Sequence, residues 1–413
     1  MRGSGTLALL LVMLLGVTLM LLYLNRALMF EQRSAALLWR EAMAFEAAEA
    51  GRNWALASLN LDRSIDTACR PTTSSGTPGP TLRDRLLAHD TSSGLWLPTT
   101  VQAGCALGAD NTWTCACPLS GAAHPALPSG TAQASSFAVS LQSGARPGSL
   151  VLASRGCVGA GANCDEAHRG DAQALVRVDI AAVRAAPETP AATLVAGGNV
   201  TLTGPVSLVN AEPGPGGLAV DAGGSISSDA QVQLHGPPGG AGTLLSAAND
   251  RRWLGPTGTA MSGDEFFAAH FGLARSRFRE LPSLTRLACN GLCDAASVDT
   301  ALAGGARAVW VDGDLAIGAV AWGNPSRPML LIVDGALTIQ GPARLHALVY
   351  SRTLAWSNTD TNPGTLRGAL VTETNASISG QIAMAYDAAL LTKVAQAGAL
   401  YAQLPGSWRD FGD

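Results

Sequence analysis

Carboxylate pairs are the first place where this chain could carry chemistry. Asp312 and Asp314 flank Gly313 in the run V-D-G-D-L-A-I-G, and a near copy, V-D-G-A-L-T-I-Q-G, carries Asp334. Cleaving a glycosidic bond needs two carboxyl groups facing each other ~5–10 Å apart. An Asp-Gly-Asp run at a strand end instead suits turn residues, whose side chains accept hydrogen bonds from nearby backbone N–H groups. The six histidines (His89, His124, His168, His235, His270, His346) are scattered, with no H-E-x-x-H and no i, i+4 pair. No G-x-S-x-G elbow occurs, and no glycine loop precedes Thr392-Lys393. Asp360-Thr-Asn362-Pro-Gly364 lacks the distal acidic ligand of a calcium loop and reads as a polar surface loop. The expectation is a non-enzyme with no catalytic residue, no metal, no cofactor and no small-molecule substrate.

Eight cysteines form the other reactive set: Cys69, Cys105, Cys115, Cys117, Cys157, Cys164, Cys289 and Cys293. Structural zinc draws on paired C-x₂₋₄-C or Cys/His sets. Cys115-Ala-Cys117 is too tight for that, and no histidine cluster accompanies it. An even number, all beyond the apolar N-terminal stretch, points to disulfides in an oxidising compartment. Cys157 with Cys164 and Cys289 with Cys293 are the candidate local pairs, and the sequence leaves the pairing of the other four open.

The segment that must position everything else is Thr6–Leu24, nineteen residues without a charge. As a helix it spans ~28 Å, close to the ~30 Å hydrocarbon core of a bilayer. It is too long for the h-region of a secretory signal, and Tyr23-Leu24-Asn25-Arg26 is a poor cleavage site. From Asn25 to Asn60 there is no proline and one glycine, Gly51, and helix formers dominate. The natural reading is one long helix, a transmembrane segment over residues 6–24 with an amphipathic extension over 25–70. On that extension Leu28, Leu37 or Leu38, Phe45, Trp54 and Leu61 fall on a rough apolar stripe. Arg26, Arg33 and Arg40 outnumber Arg2 across the span, which by the positive-inside count puts the C-terminal bulk in the cytoplasm. The cysteines point the other way and weigh more, because a dedicated targeting route overrides a weak charge bias.

The N-terminal residues resemble PilX-type minor pilins of type IV pili. The matching pieces are N-R-x-L-x-F-E-Q-R over Asn25–Arg33 and A-F-E-A-A-E-A-G-x-x-W-A-L-A-x-L-N over Ala44–Asn60, behind an Arg-Gly leader (residues 1–5). The tail L-P-G-S-W-R-D-F, Leu404–Phe411, resembles the C-terminal signature of long PilX-like proteins. The resemblance implies export as a prepilin, cleavage after Gly3 to expose Ser4 (or after Gly5, exposing Thr6), and methylation of the new N-terminus. It implies other minor pilins and the major pilin as partners of the helix, a tip adhesin as a further partner, and residence in a bacterial inner membrane and then in the extracellular pilus. Major pilins carry glutamate at the fifth mature position, whereas this chain has Ala8 (or Leu10) there, a loss that minor members share. The second reading is a minor pseudopilin of a type II secretion system. A third is a membrane-anchored β-helix enzyme acting on carbohydrate through Asp312 and Asp314.

The remaining texture is low in charge (14%), with a net charge of −4, 47 glycines and 22 prolines. Without a basic run, a nucleic-acid partner is not expected. Pro71–Pro80 is a linker. Residues 81–187, with strand runs Phe137–Leu141, Ser149–Ala153 and Ala174–Val178, read as a small disulfide-stapled α+β or β head. Over 191–386 short β-runs recur between glycine corners. Val311, Val333, Val349 and Val371 mark steps of 22, 16 and 22 residues, the texture of a β-solenoid, with a β-sandwich as the rival. Ser262-Gly-Asp-Glu265 opens a helical insertion near 262–280, and 387–413 reads as a C-terminal cap. The expected class is α+β.

Overall fold

The computed structural model describes residues 4–72, 79–90, 96–108, 110–122, 135–146, 148–159, 164, 172–183, 189–212, 217–238, 244–255, 259–289, 291–397 and 399–410. The fold is α+β. A helix of 56 residues, α1 (Ser4–Leu59), runs without interruption, ~84 Å at 1.5 Å per residue. Its second half lies on a six-stranded antiparallel sheet in the order Leu400–Gln403, Ala172–Val183, Ser149–Val158, Ser135–Ser143, Ala103–Leu107, Trp113–Ala116. The face of α1 that meets this sheet is not the expected Trp-and-Leu stripe. Ala44, Ala47, Ala48, Gly51, Ala55 and Leu59 are the buried positions, three to four residues apart, whereas Leu28, Leu37, Leu38 and Leu61 are exposed. Small residues win because they let the backbones approach. A Cβ on Gly156 would sit 2.0 Å from the Ala44 carbonyl oxygen and 2.4 Å from the Ala48 nitrogen. Phe45 and Trp54 flank this seat, touching Trp408 and Phe137 at ring separations of 6.2 and 5.6 Å.

Four disulfides join Cys69 to Cys117, Cys105 to Cys115, Cys157 to Cys164 and Cys289 to Cys293. The first ties the segment after α1 to the head sheet. Cys105–Cys115 bridges two paired strands.

The β-rich part is a curled sheet of seventeen described strands whose pairings are all parallel. Strands stack in register, so one inward row runs Val309–Leu331–Val349–Leu370–Leu194–Val220. All six are at most 0% exposed and share one core. The steps differ from the valine markers: Val311 does face Val333, but Leu331 faces Val349 and Val349 faces Leu370. Val333 itself faces Ser351.

Stack order is not chain order. The chain enters mid-ladder at Leu194–Ala196 and lays Val220–Ala222 on one side of it. It then leaves through the helices Gly263–Phe271 and Arg275–Phe278 and resumes at the far end, Thr285–Ala288. The last rung of this run, Gly364–Thr372, Ala376–Gly380 and Ile382–Ala385, stacks back on the other side of the entering rung, with Gly364–Thr372 against Leu194–Ala196.

One outer face of the ladder is itself apolar, and helices cover it. Gly263–Phe271 starts at a Ser262/Glu265 capping box and ends at Gly272 in the left-handed region (φ 69°). It buries Phe266, Phe267 and Phe271 with Phe278 against Trp310 and Tyr350. The C-terminal stretch departs from its expectation as a cap. Ala388–Ala397 lies along this same face through Leu390, Leu391 and Val394, and the chain then returns to the head as strand Leu400–Gln403.

Candidate functional site

The two halves of α1 live in different environments. From Leu9 to Trp39 every described side chain is exposed, Leu10 at 66% and Phe30 at 75%. This is the one described helix long and apolar enough to cross a membrane, with a mean hydropathy of 2.0 over its most apolar window and none of that window buried. An aqueous surface of this kind is far beyond the apolar patch a soluble monomer tolerates. The span also satisfies its own polar groups: Thr18 Oγ1 donates to the Leu14 and Leu15 carbonyls at 3.0 and 2.8 Å, as a hydroxyl in hydrocarbon must.

The second half is clasped from both ends of the chain. Asn60 Nδ2 donates to the Tyr401 carbonyl (3.0 Å) and Asn60 Oδ1 accepts from the Tyr401 N–H (2.7 Å), locking the helix end to the last strand. Trp408 Nε1 donates to Glu49 (2.6 Å), which also pairs with Arg52 (2.7 Å). Buried Arg83 donates to the Leu59 and Ala399 carbonyls at 2.8 and 3.0 Å, placing a cation on the negative end of the helix dipole.

Beyond Leu59 a polar joint connects the head to the ladder. Asp62 accepts from the Arg307 backbone N–H, Arg307 pairs with Asp84, and the Ser64 N–H donates to the Gly304 carbonyl (2.9 Å). Burial pushes the Asp62 carboxyl up, with Arg307 and Arg83 pulling against it. Burial also opposes ionisation of Asp84, but Arg307, the Thr81 N–H and Arg327 outweigh it and hold that carboxyl below its usual range. Sequence reasoning missed this joint, because its partners are 245 and 223 residues apart and each looks like an ordinary surface charge.

Asp312 and Asp334, two of the carboxylates first suspected of chemistry, are paired with arginine. Asp312 pairs with Arg279 (3.0 Å) and Arg286 and accepts from Trp310 Nε1 (3.0 Å). Asp334 pairs with Arg275 (2.8 Å) and Arg352 (2.7 Å). Arg275 also holds Asp264 (2.8 Å) and Glu373, the latter accepting from Tyr350 Oη as well (2.8 Å). Of the aspartates read as turn residues, Asp314 alone among these three accepts a backbone bond, from the Ala336 N–H one rung away at 2.7 Å. Asp312 and Asp334 instead bind the helical insertion and neighbouring strands through arginine, a role the strand-end context did not signal.

His270 is buried, stacks on Trp253 (5.0 Å between rings) and makes a 2.9 Å contact through Nδ1 with the Phe266 carbonyl. Burial brings its pKa down to about 4. Among the described residues no group of three or more His, Cys, Asp or Glu side chains could hold a metal. Of the candidate processing residues, Gly3 lies outside the described residues, Ser4 opens α1, and Gly5 and Thr6 are within its first turn.

No protein-family profile and no curated protein matches the chain. Among solved structures it is similar to the competence-associated pilin ComZ from Thermus thermophilus, at 9% identity and a TM-score of 0.20, covering 90% of this chain and 97% of that one. A score that low carries no structural argument.

Proposed function

We propose that this chain is a pilin-like subunit, a minor pilin of the PilX type in a type IV pilus. The observation that carries the reading is the divided helix: Leu9–Trp39 bare and apolar, Ala44–Leu59 seated on an antiparallel sheet with disulfides around it. A free-standing apolar half-helix is stable in lipid, and equally stable in a fibre core where neighbouring helices replace lipid. The seated half transmits its position to the head. In this reading the span first sits in the inner membrane with the disulfide-bearing bulk in the periplasm, and the chain is later drawn into the pilus beside other minor pilins and the major pilin. Lacking an acidic fifth residue after Gly3, it suits a place at the tip or in the initiating complex better than a repeated place in the shaft.

The stacked parallel rows support a β-solenoid for the distal part, a rigid presenting element that would sit outermost, toward a tip adhesin or another surface. The arginine-paired carboxylates support a non-catalytic role for it. The test is fractionation of the native host: the chain should be found in sheared pili or in the purified assembly complex. Its absence from both would overturn the reading.

A further inference from the structure

Asn-x-Ser/Thr triplets without a central proline occur at Asn199-Val-Thr201 and Asn375-Ala-Ser377 and nowhere else in the chain. Both fall on the ladder, at one corner of adjacent rungs, with Ala376 paired to Val200 and Ser377 to Thr201. This triplet is the acceptor pattern for an N-linked sugar, which is bulky and needs a surface position in an exported chain. Both asparagines are exposed. Each also has a structural task, carried by its oxygen. Asn375 Oδ1 accepts from the Asn199 backbone N–H (2.9 Å), and Asn199 Oδ1 accepts from the Ser225 N–H (2.9 Å) and hydroxyl (3.0 Å). Among the described residues, Asn375 Nδ2 makes no hydrogen bond.

Two features single out Asn375. An acid stands two positions before it, in Glu373-Thr-Asn375-Ala-Ser377, whereas Gly197 holds that place before Asn199. A carboxylate there gives a transferase a charge-assisted grip beside the acceptor nitrogen. The second feature is a shallow groove of about 410 Å³ that Asn375 helps to line, with Thr201, Thr338, Thr353, Ala355 and Ser377. Thr338, Ala355, Ser377 and Thr201 lie in one row across successive rungs. A sugar laid on this row finds hydroxyl partners and meets no charged side chain.

We propose that Asn375 is N-glycosylated, with a polyprenyl-diphosphate-linked oligosaccharide as the donor. Nδ2 attacks the anomeric carbon of the first sugar. The carbon–oxygen bond to the diphosphate breaks, its electron pair leaves with the polyprenyl diphosphate, and Nδ2 gives one proton to a base of the transferase. The product keeps Oδ1 and one N–H, so the bond from the Asn199 N–H survives the modification. Transfer precedes folding of this corner, because in the finished chain Glu373 is held by Arg275 and accepts from Tyr350 Oη (2.8 Å). The proposal rests on export of the ladder, as in the membrane reading, but not on assembly into a pilus.

The test is mass spectrometry of a non-reducing tryptic digest of the full chain from the native host. The peptide Gly368–Lys393 should carry one oligosaccharide increment. Asn375→Gln and Ser377→Ala should each abolish it, and Ser377→Thr should keep it. Ala355 and Thr201 already occupy the place of Ser377 on the neighbouring rungs, so the ladder tolerates either replacement there. An increment that survives Asn375→Gln, or one found only on the peptide bearing Asn199, would overturn the proposal. So would an unmodified Gly368–Lys393 peptide. The cysteine-bearing peptides of the same digest separate the two readings: paired cysteines leave export standing when the sugar is absent, and free thiols bring both down.

Discussion

Gly156→Ala should unseat α1 from the head. The added methyl would lie 2.0 Å from the Ala44 carbonyl oxygen and 2.4 Å from the Ala48 nitrogen. Both are backbone atoms inside a helix, so neither can rotate away. Recovering an ordinary contact needs a retreat of about 1.4 Å, and a gap of even ~1 Å forfeits up to about half of each dispersion contact along the seat. Ala44, Ala47, Ala48 and Gly51 share that loss. The expected cost is at the upper end of overpacking, about 3 kcal/mol.

Gly51→Ala is the matched control. Its methyl would meet the Ser154 hydroxyl at 2.4 Å and the Phe137 ring at 2.7 Å. Those are side-chain atoms, but Phe137 is buried and Cγ is the root of its ring, so the ~1 kcal/mol of helix propensity gained offsets only part of the overpacking. The net loss should be about 1–2 kcal/mol, smaller than for Gly156→Ala. Urea unfolding of the full chain in detergent, followed by tryptophan emission (Trp54 and Trp113 both touch Phe137), reads both variants. A Gly156→Ala midpoint within about 0.5 kcal/mol of the parent, or equal effects of the two substitutions, would refute a backbone-tight seat.

Replacing Cys69 and Cys117 together by serine opens a loop of 48 residues, for which chain entropy gives about 4 kcal/mol; non-reducing unfolding of the double variant should show that loss. Arg275→Met leaves the largely buried Glu373 without its cation and Asp334 with Arg352 alone. About 3–5 kcal/mol should be lost, and adding Glu373→Gln should restore part of it. His270 has a folded pKa of about 4 against ~6.5 unfolded. The folded state therefore binds fewer protons between those values. The stability tied to this ring is complete above pH ~6.5 and declines as pH falls toward 4, by about 3 kcal/mol. His270→Gln should remove that decline, so the stability difference between variant and parent should change across this window and be constant above it.

Much of this architecture could be read from the residues, but unevenly. An uncharged run from Thr6 to Leu24 has few outcomes other than a bare apolar helix. The seat of that helix escaped, because Ala and Gly give a weak hydrophobic signal beside Trp54 and Leu37. Close backbone approach selects small residues, and only the partner, Gly156, reveals the reason. The V-D-G copies did mark stacked strands, since each rung buries the same side-chain positions. Their steps came out wrong at Val333, which faces Ser351, and at Val349, which faces Leu370, because one apolar marker per rung does not fix which residue of the next rung lies over it. No local pattern shows that Gly364–Thr372 returns to Leu194–Ala196, a pairing set by the closure of the whole ladder. Asp312 looked like a turn residue because its arginine partners come from the insertion and from a neighbouring strand.

The central claim is a processed pilin-like anchor, and mass spectrometry of the mature N-terminal peptide from native-host membranes tests it most directly. The account predicts a chain beginning at Ser4, or at Thr6, with an N-methyl group. Because the prepilin peptidase that the pilin resemblance implies acts at the cytoplasmic face, the same result would place the disulfide-bearing bulk outside the cytoplasm. A chain still beginning at Met1 would contradict it, leaving a plain membrane anchor whose orientation the Arg26, Arg33 and Arg40 count would then decide.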